Sequence, residues 1–141
     1  MEERLLRILH LALKYDATDI HFVSQYNEMT IEMRIDGVMH KIKPKPEDFD
    51  LIRYLKYLAN LDANIKDLPQ TGQFEILVDG KVVTLRFAVI ESSGLTSGVL
   101  RILSVNMKVI EEKGKELVFL SVAIPILAFA NCIIVVAINS Y

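Results

Sequence analysis

Cysteine is almost missing: Cys132 is the sole one, so neither an internal disulfide framework nor a cysteine-based metal cluster can form. A reducing, cytosolic setting is the simplest reading. Charge of one sign is not in excess either. Sixteen basic residues against 18 acidic ones leave a net charge of -2, with no overall pull toward nucleic acid or an anionic membrane surface. No direct nucleic-acid binding is expected. The opening MEERLLRILHLALKYD lacks the unbroken apolar run of a secretory signal, because acids and bases punctuate it.

Signatures of self-sufficient catalysis are also missing. Gly114-Lys115 is followed by Glu116, and no glycine stands five positions before Gly114. This is not the Gly-x-x-x-x-Gly-Lys-Ser/Thr loop whose amides wrap phosphates. Neither a Gly-x-Ser-x-Gly elbow nor a Cys/His dyad occurs. His10, His21 and His40 share no ligand-like spacing, so no metal site is expected. Asp19 and Asp36 are better read as turn residues than as an acid/base pair.

What is present is one domain's worth of patterned chain. With 141 residues, one well-packed unit is the expectation, and most of the 52% hydrophobic content lies after Glu116. Leu5, Leu6, Leu9, Ala12 and Leu13 recur at helical spacing over 2–14. A short strand follows at 20–23. Residues 30–35 alternate, with Ile31, Met33 and Ile35 on one face, and Asp36-Gly37 turns the chain into a returning strand at 38–42. Glu47, Asp48 and Asp50 load the first turn of a second helix, whose core face is Ile52, Leu55, Leu58 and Ala59. Residues 74–78 alternate, Asp79-Gly80 turns, and Val83, Leu85, Phe87 and Val89 form the buried side of a long strand. Residues 91–98 read as a flexible loop before a last strand at 99–103. The expected fold class is α+β: an antiparallel sheet with two helices packed on one face, plus a C-terminal apolar helix.

From Leu117 to Ile138 no charge occurs, a length that spans a bilayer as a helix. Lys108, Lys113 and Lys115 precede it and no basic residue follows, so insertion would leave the domain in the cytosol on the inner face of the membrane. The expected organisation is a domain at 1–103, a charged linker at 104–116 and an apolar tail at 117–141.

Alternation also turns Arg34, Arg86 and Arg101 away from the apolar side chains of their own strands. Three guanidinia on one sheet face could grip a phosphate. The competing reading gives each a surface ion pair with Glu32, Glu75 or Glu91, of little energetic weight.

The series ATDIHF at 17–22, RIDGVMH at 34–40 and LPQTGQF at 68–74 resembles type II secretion and type IV pilus assembly ATPases. It is most similar to their competence branch, the ComGA-like ATPases of the DNA-uptake pseudopilus. YLKYLANLDANIKDLPQTGQF is similar to that family's L-K-x-M-A-x-L-D-I-x-x-K-R-x-P-Q-x-G, and VTLRFAV and GVLRIL to its two later strands. The likeness covers about residues 1–103. It implies the PAS-like N-terminal domain that precedes a RecA-like motor domain in a hexameric ring, with a secretion or pilus motor domain and the inner-membrane platform protein as partners. It assigns nucleotide contact to Arg86 and Arg101, and places Asp19, His21, Arg34, Asp36, Gly37, Pro69, Gln70 and Gly72 in the structural motifs. Gln73 departs from the arginine many members carry, and Asp67-Leu68 from their basic pair.

The motor motifs are not found after Leu103. The expectation is therefore a truncated, non-hydrolysing homologue without a cofactor of its own, since ATP and Mg would need a motor domain. Such a chain would form a hexamer only with that domain. A membrane-tethered PAS-like binding module and an inert gene fragment are the alternatives, and the tail reads as an anchor, a core segment or a frameshift product.

Overall fold

The computed structural model describes residues 1–107. The expected apolar tail and its helix lie outside the described residues. Residues 1–78 and 83–104 form one compact unit, and 79–82 and 105–107 group separately. Among the described residues, no helix is long and apolar enough to cross a membrane.

The first unit opens with α1 (Glu2–Lys14), which carries acids in its first turn and Lys14 in its last, as the helix dipole favours. It buries Leu5, Ile8, Leu9 and Ala12. The helix ends in a Schellman motif. Asp16 sits at φ 55°, the Ala17 amide donates to the Ala12 carbonyl at 2.8 Å, and the Asp16 amide to Leu13 at 3.3 Å. This stop delivers the chain directly into β1 (Asp19–Gln25), followed by β2 (Glu28–Ile35) and β3 (Val38–Ile42).

A short 3-10 turn at Pro46–Asp50 leads into α2 (Leu51–Leu58), which also stops on a Schellman motif, with Asn60 at φ 60° and the Leu61 amide donating to Lys56. Then come β4 (Gln70–Val78), β5 (Lys81–Ser92) and β6 (Leu95–Met107). The strand order is β3-β2-β1-β6-β5-β4, two three-stranded meanders joined where β1 and β6 run antiparallel. The fold is therefore α+β with a six-stranded antiparallel sheet, as expected.

Three features differ from the sequence reading. Residues 91–98 are a tight hairpin and not a flexible loop, because Ser93 and Gly94 both adopt positive φ and close a two-residue turn between β5 and β6. Tyr26-Asn27 does the same between β1 and β2, where no turn was expected. The acids before α2 also act differently from dipole partners. Asp48 is fully buried and accepts from Arg4 of α1 through both carboxylate oxygens at 2.8 and 2.9 Å, and from the Lys45 amide at 2.7 Å. This clamp ties α1 to the entrance of α2 and holds the Arg4 guanidinium above its ordinary pKa, chiefly through the Asp48 hydrogen bond.

Both helices share one core with Ile20, Phe22, Ile31, Met33, Leu85, Phe87 and Leu100, which all lie on the same side of the sheet. Each fully buried apolar side chain of this size contributes about 1.5–3 kcal/mol. Gly98 belongs to this layer for a steric reason: a Cβ there would stand 2.7 Å from the Phe87 ring. Among the described residues, the opposite side of the sheet carries no helix and presents the polar alternates of the central strands.

Candidate functional site

Pairing register fixes a row of polar residues across the open face. Asp19 of β1 lies opposite Arg34 of β2 on one side and opposite Arg101 of β6 on the other. The turn reading of Asp19 is overturned: the helix stop is complete by Ala17, so Asp19 begins the strand and is only 3% exposed. Its carboxylate accepts from the Thr18 hydroxyl at 2.6 Å, from Nε2 of His21 and from Nε of Arg34 at 3.3 Å. Burial pushes this carboxyl up, but the three hydrogen bonds together outweigh it and hold Asp19 below its ordinary range. Asp19 is thus a buried anion whose charge is spoken for by His21 and Arg34.

Arg86 and Arg101 are exposed. None of the ion pairs expected with Glu32, Glu75 or Glu91 is present among the described residues, and Arg34 pairs instead with Asp19. Neither Arg86 nor Arg101 has a hydrogen-bonding or ionic partner among the described residues. Glu91 turns toward the helices and is taken by Lys56 at 2.8 Å and Lys66 at 3.3 Å. Counting back along an unbroken hairpin from the Ser93-Gly94 turn sets Glu91 opposite Thr96 and Arg86 opposite Arg101. The Thr96 hydroxyl, 3.4 Å from the Glu91 carboxylate, fits that register. The same count from the Asp79-Gly80 turn sets Gln73 opposite Arg86. The row therefore reads Arg34, Asp19, Arg101, Arg86, Gln73, with Arg101 and Arg86 adjacent and without a partner among the described residues. What such a pair can do chemically is hold an oxyanion in a planar fork.

The remaining motif residues build the frame. Asp36 and Gly37, both at positive φ, close the β2–β3 hairpin that places Arg34. Pro69 is exposed just before β4. Gln70 reaches back across the loop that follows α2: its amide nitrogen donates to the Asp62 carbonyl and its oxygen accepts from the Asp62 amide, both at 2.9 Å. Gly72 lies directly beneath the end of α2, where a Cβ would be 2.3 Å from the Ala59 carbonyl oxygen. Pro-Gln-x-Gly is thus a docking motif that seats α2 and its loop on β4. His40 faces the opposite side of the sheet from His21, and His10 is on α1.

Sequence reasoning missed the Asp19, His21 and Arg34 cluster, although D-x-H on an alternating strand places both side chains on one face. It also missed Arg4 with Asp48, which are 44 residues apart and have no local signal.

An α+β domain with an open, arginine-bearing sheet face is the class that geometry defines. The profile of the Type II/IV secretion system protein family matches residues 1–137. This match runs past residue 103, where the motif likeness ended. The chain is 40% identical over 103 residues to Protein transport protein HofB homolog of Escherichia coli (strain K12), covering 72% of this chain and 22% of that protein. It is 33% identical over 98 residues to Type II secretion system protein E of Pseudomonas aeruginosa, covering 68% and 20% respectively. Type II secretion system ATPase E of Vibrio cholerae is 30% identical over 97 residues, or 67% of this chain and 19% of that protein. The chain belongs to the type II/IV secretion system protein family and corresponds to its N-terminal domain. It spans about a fifth of the length of the curated relatives it matches.

Proposed function

We propose that this domain docks on a secretion- or pilus-type motor domain and presents Arg86 and Arg101 to the phosphates of a nucleotide held there. The observation that supports this reading is their pairing on the open face: two exposed guanidinia without a partner among the described residues, in the same row as an Arg34 that has one. Like charges directly opposed across strands cost about 0.2–1 kcal/mol, a cost that an external anion would offset. Guanidinia at the γ-phosphoryl oxygens stabilise the charge that develops in phosphoryl transfer.

Residues 1–141 contain no Gly-x-x-x-x-Gly-Lys-Ser/Thr loop, so ATP and Mg belong to the motor domain and this chain contributes to the site without hydrolysing. Type II secretion, type IV pilus and competence machines are the settings, with the inner-membrane platform protein as second partner. The uncharged 117–138 stretch would meet the membrane, and a ring of six would need the motor domain.

The test is fluorescence anisotropy of the 141-residue chain titrated with a secretion motor domain loaded with a non-hydrolysable ATP analogue. Arg86→Glu and Arg101→Glu should each weaken binding about tenfold or more, equivalent to about 1.4 kcal/mol. Undiminished binding by the double variant would overturn the proposal.

A further inference from the structure

A second cationic site lies on the helix side of the sheet, away from the arginine row. α2 lends Arg53 and Lys56, the loop after it lends Lys66, and the sheet lends Ser24, Glu91 and Thr96 to one open cleft. Ser24 and Thr96 are directly paired across β1 and β6 on the helix side of the sheet, and the Thr96 hydroxyl lies 3.4 Å from the Glu91 carboxylate. Lys56 is only 5% exposed, and a lysine buried to that degree needs an anion. Glu91 supplies it, but the same carboxylate oxygen also receives Lys66. One carboxylate between two ammonium groups leaves one positive charge, and Arg53 adds another. Arg53 has an ion pair of its own, to Asp50 at 3.6 Å, with both side chains well over half exposed, which neutralises it little.

We infer that this cleft binds a phosphate group, as inorganic phosphate or the head of a small phosphate monoester. The lining sets three cations against one carboxylate, and a phosphate dianion offsets that excess more fully than a carboxylate would. The two hydroxyls and the ammonium groups are hard donors suited to its oxygens. Size limits the rest of the ligand. The cleft holds about 170 Å³, against about 300–1,000 Å³ for sites that enclose drug-sized molecules, so a few-carbon ester fits and a nucleotide does not. Ile52 and Phe49 form the apolar wall for that short body.

The experiment is an NMR titration of the isotopically labelled 141-residue chain with sodium phosphate and, separately, glycerol 3-phosphate, at constant ionic strength. Saturable shifts at the amides of Ser24, Arg53, Lys66 and Thr96 are expected with both probes, and tighter binding of one identifies the preferred source. Arg53→Gln/Lys66→Gln changes only side chains that are 80% and 61% exposed, so the fold should survive. This variant should bind phosphate about tenfold more weakly or worse. Arg86→Glu/Arg101→Glu should bind it normally, which separates this site from the nucleotide contact proposed above. The inference is overturned by no saturable shift, by affinity unchanged in Arg53→Gln/Lys66→Gln, or by shifts confined to Arg86 and Arg101.

Discussion

Asp19 and Arg101 are directly opposed across β1 and β6, yet the Asp19 carboxylate bonds to Thr18, His21 and Arg34 and leaves Arg101 without an anion among the described residues. A buried carboxylate next to two strands of arginines would ordinarily be shared among them. Here the short reach from His21, two residues along the same strand, and from Arg34 saturates it. The sheet face therefore keeps spare cations at Arg101 and Arg86.

The first prediction concerns those cations. Because neither has a partner among the described residues, Arg101→Gln and Arg86→Gln should leave stability unchanged or raise it by up to about 1 kcal/mol, as like-charge repulsion across the hairpin is relieved. Urea denaturation of the single variants checks this. A loss above about 2 kcal/mol would mean that the arginines hold the fold together, a size reached only by broken buried interactions.

Asp19 should behave in the opposite way. Asp19→Asn removes the acceptor for Arg34, His21 and Thr18 in a nearly closed position, and should cost about 1–3 kcal/mol by the same measurement. Its carboxyl and that of Glu91 are both held below their ordinary values in the fold, Asp19 by hydrogen bonds that outweigh its burial, Glu91 chiefly by the Lys56 hydrogen bond. A depressed folded value means that the unfolded chain takes up protons first. The stabilisation is therefore complete above about pH 5 and is lost as pH falls through the folded values. Acid unfolding followed by circular dichroism should be shallower in Asp19→Asn and Glu91→Gln than in the parent.

Much of this framework was legible because its signals are local. Asp36-Gly37 and Asp79-Gly80 are turn dipeptides, and the alternation of Val83, Leu85, Phe87 and Val89 named the buried face of β5 directly. Tyr26-Asn27 was missed because tyrosine is not a residue that advertises positive φ. Serine and glycine at 91–98 suggested mobility, whereas only Ser93-Gly94 turn and Gly98 is instead packed against Phe87. The arginine row needed register as well as alternation: periodicity gave each side chain a face, but only the β1–β6 pairing sets Asp19 beside Arg101. Arg4 and Asp48 had no sequence signal, since nothing in an exposed-looking acid before a helix announces burial.

That buried pair gives a further prediction. Arg4→Ala would leave Asp48, fully buried, with only the Lys45 amide as donor, and should cost about 3–5 kcal/mol. Arg4→Met/Asp48→Leu should recover much of the loss, because two apolar groups have no charge to desolvate. Denaturation midpoints of the three proteins settle it, and a double variant no better than Arg4→Ala would argue that the pair is needed for its geometry as well.

Gly98 and Phe87 offer the sharpest test of packing. A methyl group on Gly98 would fall 2.7–2.8 Å from two ring carbons of Phe87, and the ring is fully buried and has little room to retreat. Gly98→Ala should cost about 1–3 kcal/mol through this overlap. Phe87→Leu alone should also destabilise, through the cavity it opens, but the double variant should lose less than the sum of the two, since leucine vacates the space that the new methyl needs. A coupling of about 0.5–3 kcal/mol in the double-mutant cycle is the expected result for side chains in direct contact. Simple additivity would mean that Gly98 is required for its backbone conformation and not for the ring above it.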